Sequence, residues 1–201
     1  SCVLEWLIAH LNNKKPENII SFSSRIIPII AILRKNLLDK KNTQIIYSGD
    51  LPEFFDSEIL KSIYNYKFDL IKRESIKTNS TFNGSTIYLL QKNDIYNIDF
   101  SSNIDFYITF NSQLGSVLYI NGEKNENYIS DIQHSRRRET IAMTPANCFT
   151  LLKSILNQSG LENNIENNDK SKNNVLKSIK DITQINSNAI VASSGLSIQY
   201  A

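Results

Sequence analysis

The stretch NIISFSSRIIPIIAILRKNLLDKKNTQIIYSGD, residues 18–50, reads as strand, helix and strand. Asn18–Ser24 is a short apolar run ending in small polar residues, the texture of a buried strand running into a turn. The helix reading covers residues 26–41. Pro28 fits its first turn, where no amide hydrogen bond is lost, and Lys35, Lys40 and Lys41 gather at its far end, as the helix dipole favours. Residues 43–50, TQIIYSGD, read as the second strand, closing at Gly49-Asp50. A strand–helix–strand unit is the local mark of an α/β layer, so the expected class is α/β, with α+β as the alternative and mixed sheets flanked by helices.

Working outward, Val3, Leu4, Leu7, Ile8 and Leu11 share one face of a helix over Cys2–Leu11. Asp56 or Ser57 caps a short helix with Ile59, Leu60 and Ile63 expected to be buried, and residues 68–75 form a candidate third strand. After Ser80 the texture becomes β-rich: short runs at 85–93, 95–100, 104–110, 115–123 and 126–132 predict hairpins or a meander, with Asn83-Gly84 and Asn121-Gly122 as turn signals. A helix over about 144–159 is marked by Thr144 as N-cap, Pro145 in the first turn and Gly160 as its stop. The Asn-rich, charged segment 161–174 is read as a mobile loop, and Val175–Ile182 as a short amphipathic segment. Two domains follow from this reading: an α/β subdomain over 1–79 and a hairpin-rich subdomain over 80–201.

Composition excludes several functions. The 201 residues are 41% hydrophobic and 21% charged, with a net charge of +2. That balance argues against nucleic acid as a partner. Cys2 and Cys148 have no metal or redox spacing, which favours a reducing compartment. The longest apolar run, Ile26–Leu33, is far shorter than the ~20 residues a membrane-spanning helix needs, so any membrane contact is expected through segments outside this chain. A first residue other than Met suggests a fragment boundary.

Candidate chemistry is sparse. In the turn Asn111-Ser112-Gln113-Leu114-Gly115-Ser116, backbone amides, hydroxyls and a glycine have the composition of a phosphate cradle, yet no P-loop or dinucleotide fingerprint is present. A plain hairpin turn is the preferred reading there. Arg136, Arg137 and Arg138 form the one dense basic run and are read as a solvated loop able to meet an acidic or phosphorylated partner. Cys148 with His134, and Cys2 with His10, lack any nucleophile–base signature. The carboxylates Asp50, Glu53, Asp56 and Glu58 read as a helix-capping turn rather than hard ligands for a metal, and Asp94, Asp99, Asp105 and Asp131 are scattered. No catalytic residue, metal or cofactor is assigned.

The order of the second half is a hydrophobic strand, a small polar turn, the strand VLYING (117–122), the strand NYISDI (127–132) and a helix. A variable loop and the terminal run AIVASSGLSIQY (189–200) complete it. This order resembles the actin-like cytoplasmic domains of type IV pilus and type II secretion assembly platforms. The resemblance implies actin-like, ribonuclease H-like layers on the cytoplasmic side of a bacterial inner membrane. It implies a non-enzymatic scaffold that docks an assembly ATPase and neighbouring inner-membrane platform proteins, with Arg136–Arg138 as docking residues. It also implies that the first hairpin is a phosphate loop that lacks the family's acidic residue. The alternatives are a nucleotide-responsive protein binding ATP through Asn111, Ser112, Gly115, Ser116, Ser194 and Gly195, or an unrelated enzyme fragment.

Overall fold

The computed structural model describes residues 1–73, 82–90, 98–111, 113–157 and 168–184. Its strands are β1 (Ile19–Phe22), β2 (Thr43–Tyr47), β3 (Asp69–Lys72), β4 (Ser85–Leu90), β5 (Phe106–Asn111) and β6 (Gly115–Ile120). The helices are α1 (Cys2–Leu11), α2 (Ile27–Leu38), α3 (Ser57–Ser62), α4 (Ile129–Glu139), α5 (Pro145–Asn157) and α6 (Asn168–Thr183). The chain divides into a unit over 1–161 and a second over 162–201, whose described element is α6.

All six strands form one mixed sheet in the order β1-β6-β5-β4-β2-β3. β2 pairs in parallel with both β3 and β4, and β4 with β5, while β6 runs antiparallel to its neighbours β5 and β1. The fold is α/β, and the sheet runs across the boundary drawn at residue 80.

Alternation along the strands buries both faces of the sheet, the pattern of a largely parallel layer covered on each side. Ile20, Phe22, Ile45, Ile87, Leu89, Phe106, Ile108, Leu118 and Ile120 face α2, α3 and α4 through Ile29, Ile32, Leu33, Leu60 and Ile132. On the other face Ile19, Ile46, Tyr88, Tyr107, Val117 and Tyr119 meet α1 and α5 through Leu4, Ile8, Ala9, Cys148 and Leu151. Cys148 is thus a buried core residue, with its thiol directed at the Met143 carbonyl.

Helix starts follow the sequence signals. Asp56 caps α3 by accepting from the Glu58 and Ile59 amides at 3.0 Å each. Thr144 Oγ1 accepts from the Asn147 amide at 3.2 Å at the start of α5. Leu60 is buried as expected, but Ile59 and Ile63 are exposed.

Several expectations need correction. Residues 126–132 are not a strand: they run from a 3-10 turn into α4, because Tyr128, Ile132 and Ser135 are buried at helical spacing. Arg136–Arg138 therefore lie on a helix rather than in a loop. The sheet is no meander, since β4 lies between β2 and β5 and only β5–β6 is a hairpin. Residues 168–174 belong to α6, while 161–167 lie outside the described residues, as do Ser112, Ser194, Gly195 and the run 189–200. Among the described residues no helix is long and apolar enough to cross a membrane.

Candidate functional site

The parallel strands β1, β5, β4, β2 and β3 all end at one edge of the sheet, where β6 begins. From β2 the chain moves outward to β3, then returns past β2 to β4 and continues away to β5. The path reverses between β2 and β4. In open α/β sheets a crevice forms outside the carboxyl ends of the strands at such a reversal, because the connecting loops diverge there.

Three described segments bring polar groups to this edge. Ser23, Ser24 and Arg25 follow β1, and Ser24 Oγ accepts from the Ile27 amide at 3.3 Å as α2 starts. The turn is anchored from two sides. Ser116 Oγ donates to the Ser24 carbonyl at 2.6 Å, and the Ser23 amide donates to the Ile141 carbonyl at 3.1 Å. Ser48, Gly49 and Asp50 follow β2. Gly49 has φ +72°, and a Cβ there would meet nothing within 4 Å among the described residues. Asp50 lies 3.5 Å from Lys72 Nζ at the end of β3.

The third segment is the β5–β6 turn. Asn111 Oδ1 accepts from the amides of Gln113 and Leu114 at 3.0 and 3.2 Å. Gly115 has φ +111° and is packed so closely on β1 that an added Cβ would sit 2.1 Å from the Phe22 carbonyl oxygen. The glycine permits this contact between strands. Asn147 Nδ2 donates to the Leu114 carbonyl at 3.1 Å and ties the turn to α5.

Arg25 is half-buried at this edge. Its guanidinium carbon lies 4.7 Å from the Phe54 ring centroid, and Phe54 meets Phe110 edge-on with centroids 5.3 Å apart. Among the described residues no carboxylate pairs with it. The sequence reading did not single out Arg25 or the Ser48-Gly49 loop. The available signal was position: residues directly after the strands of a strand–helix–strand unit.

Of the three arginines expected to meet a partner, Arg136 is turned inward. Its Nη1 lies 2.6 Å from Glu5 Oε1 and donates to the Ser21 carbonyl at 3.3 Å. Arg137 and Arg138 are exposed. A separate groove of about 180 Å³ lies between α2 and α4, lined by Ala31, Lys35, Leu38, Asp39, Asp131 and His134 among others. Its charges are matched: Lys35 Nζ lies 2.8 Å from Asp131, and that hydrogen bond holds the ammonium pKa above its usual value. Among the described residues no group of His, Cys, Asp and Glu could hold a metal ion.

No family model matches the chain, and no curated protein does. Solved structures do. A protein described as a histidinol-phosphate aminotransferase from Erwinia carotovora atroseptica SCRI1043 superimposes with a TM-score of 0.50 at 12% identity, over 90% of this chain and 66% of that one. A protein described as an L-allo-threonine aldolase from Listeria monocytogenes EGD-E gives a TM-score of 0.49 at 12% identity, over 78% of this chain and 58% of that one. The likeness to the Erwinia protein is one of fold. This chain spans less than two thirds of the length of either neighbour.

The likeness overturns the resemblance to actin-like pilus and secretion-platform domains, and with it the reading of a non-enzymatic scaffold. The physical reason is local. The resemblance needed a third strand at 127–132, and those residues are helical. The likeness in fold agrees better with the alternative of an unrelated enzyme fragment than with that reading.

Aminotransferase chemistry as a class uses pyridoxal phosphate, held as a Schiff base on a lysine with an Asp or Arg partner at the ring nitrogen. Among the described residues following β1, β2 and β5 there is no lysine, and Lys72, at the sheet's outer strand, is turned to Asp50. Lys92 falls within 91–97, outside the described residues.

Proposed function

We propose that this chain is the α/β ligand-binding portion of an enzyme with an aminotransferase-like fold, acting on a small polar metabolite at the carboxyl edge of its sheet. The observation that carries the reading is the reversal of the chain path between β2 and β4, with the open Ser48-Gly49-Asp50 loop beside it. The Erwinia neighbour supports the fold, and its printed name suggests amino acids and 2-oxo acids as the ligands to try first.

The segments at this edge have distinct tasks. Ser23 and Ser24 hold the β1–α2 turn in place through fixed hydrogen bonds, so Arg25 projects from a rigid base. Gly49 lets a ligand approach the backbone, since a Cβ there would meet no atom of the described residues within 4 Å.

A thermal-shift screen with amino acids and 2-oxo acids tests the reading on wild type and Gly49→Val. A ligand at a hundred times its dissociation constant stabilises the folded state by ~2.7 kcal/mol. The expected result is a rise in Tm for wild type that is lost in Gly49→Val, whose side chain would occupy the open space. Equal rises in both proteins, or none with any ligand of these classes, would count against the site.

A further inference from the structure

We infer that the outer edge of β3 is a self-association surface: two copies of this chain join β3 against β3, antiparallel, in a register centred on Ile71. The joint runs two six-stranded sheets into one. The partner is a second copy because the charges along this strand complement their own reverse order.

The two edges of the sheet are built differently. At β1, Glu5 and Arg136 take up the outward amide and carbonyl of Ser21. At β3, among the described residues, no strand pairs on the side away from β2. The Arg73 amide donates to the Tyr47 carbonyl at 2.9 Å, so Asp69, Ile71 and Arg73 turn their backbone groups towards β2. Leu70 and Lys72, by the alternation of a strand, aim theirs outward. Those are the groups a further strand would bond.

In an antiparallel pair, outward-bonding residues stand opposite one another, so few registers are open. With Ile71 opposite its own copy, Leu70 faces the partner's Lys72 and Asp69 faces the partner's Arg73, each twice by symmetry. Asp69 and Arg73 then meet at non-hydrogen-bonded positions, where side chains across the pair are closest. Within one copy they lie about 13 Å apart along the strand, beyond each other's reach. Neither is ion-paired among the described residues. A shift of the pairing one way sets Lys72 against the partner's Lys72. The other way sets Lys67 against the partner's Arg73, and like charges directly opposite are destabilising. Charges on an edge strand block indiscriminate pairing, and these admit one register. The segment before β3 adds surface: Ile59, Ile63 and Tyr64, in α3 and the turn after it, are exposed. A two-fold axis normal to the sheet puts both copies of α3 on the same face of the joined sheet, where these residues can be covered.

Sedimentation equilibrium of the whole chain, at concentrations up to about 1 mM, tests this. The expected result for wild type is a concentration-dependent dimer. Arg73→Glu sets like charges at both ends of the joint and should weaken the dimer at least about tenfold. Asp69→Arg should do the same, and combining Asp69→Arg with Arg73→Asp should restore the wild-type affinity. Lys72→Pro removes an outward amide that makes no bond to β2, and should also leave the chain monomeric. Thermal melts of each variant under dilute conditions check folding. Wild type that stays monomeric at every concentration would overturn self-association. A dimer undiminished in both Arg73→Glu and Lys72→Pro would overturn the β3 joint. Losses in the single variants that the charge swap does not restore would overturn the register centred on Ile71.

Discussion

Arg136 on α4 meets Glu5 on α1 with 2.6 Å between Nη1 and Oε1, across the open edge of β1. Glu5 Oε1 also accepts from the Ser21 amide at 2.9 Å and the Ser21 hydroxyl at 2.7 Å, while Arg136 donates to the Ser21 carbonyl. β1 pairs only with β6 among the described strands, so its outer amide and carbonyl would otherwise lack partners. The ion pair stands where a further strand would pair, and it closes the edge.

Replacing Arg136 with Ala should therefore destabilise the fold by about 3 kcal/mol, because a mostly buried carboxylate loses its counter-charge. Arg137→Ala and Arg138→Ala, on the exposed face, should each change stability by no more than about 0.5 kcal/mol. Urea titrations of the three variants check this. Equal effects would show that the brace is not where the structure puts it.

Two glycines with positive φ should behave differently. Gly115→Ala forces a Cβ to 2.1 Å from the Phe22 carbonyl oxygen and 3.0 Å from that of Ser23, both backbone atoms in a packed sheet. It should cost more than about 3 kcal/mol or prevent folding. Gly49→Ala meets nothing within 4 Å, so only the left-handed backbone penalty of about 1 kcal/mol applies. Denaturation midpoints of the pair give the comparison directly.

Tyr107 links the core to alkaline stability. Burial pushes its phenol up to about 12, against the smaller opposing effect of the Ser101 amide, which donates to its oxygen at 2.6 Å. The unfolded phenol ionises near 10, so above that pH the unfolded chain holds fewer protons than the folded one. Stability from this residue is complete below about pH 10 and falls between about pH 10 and 12, by roughly 2 kcal/mol in all. Urea midpoints from pH 8 to 12 should drop over that window, and less steeply in Tyr107→Phe. An unchanged slope in the variant would contradict the assignment.

Asp105 is buried at the opposite end of the sheet from the candidate site. Its carboxylate accepts from the Thr86 amide at 2.8 Å and the Asn125 side-chain amide at 3.0 Å, with Lys124 Nζ at 2.7 Å. Asp105→Ala should cost about 3 kcal/mol by leaving buried donors unpaired. Hydrogen exchange at the Thr86 amide should accelerate in step with the global loss. Wild-type protection at Thr86 in the variant would show that another acceptor serves it.

Much of the α/β layer was legible because local physics matched the final packing. The spacing of Leu4, Leu7 and Ile8 marked the buried face of α1, although Val3 and Leu11, expected on that face, are exposed, and Pro28 with the lysines after it framed α2. What was not legible depended on partners distant in sequence. Nothing local places β4 between β2 and β5, so a β-rich stretch read as a meander. The run ENYISDI carries strand-like residues, yet Ile132 is drawn onto the sheet at helical spacing from Tyr128. Arg25 looked like an ordinary turn residue because Phe54 and Phe110, which give it a setting, come from other segments.

The most direct test of the ligand site is a map of backbone amide shifts in the isotope-labelled chain as 2-oxoglutarate is added. The account predicts the largest changes at Ser24, Arg25, Ser48, Gly49 and Asn111, along the carboxyl ends of β1, β2 and β5. Changes confined to Leu38, Asp131 and His134 in the groove between α2 and α4, with the sheet edge silent, would contradict it.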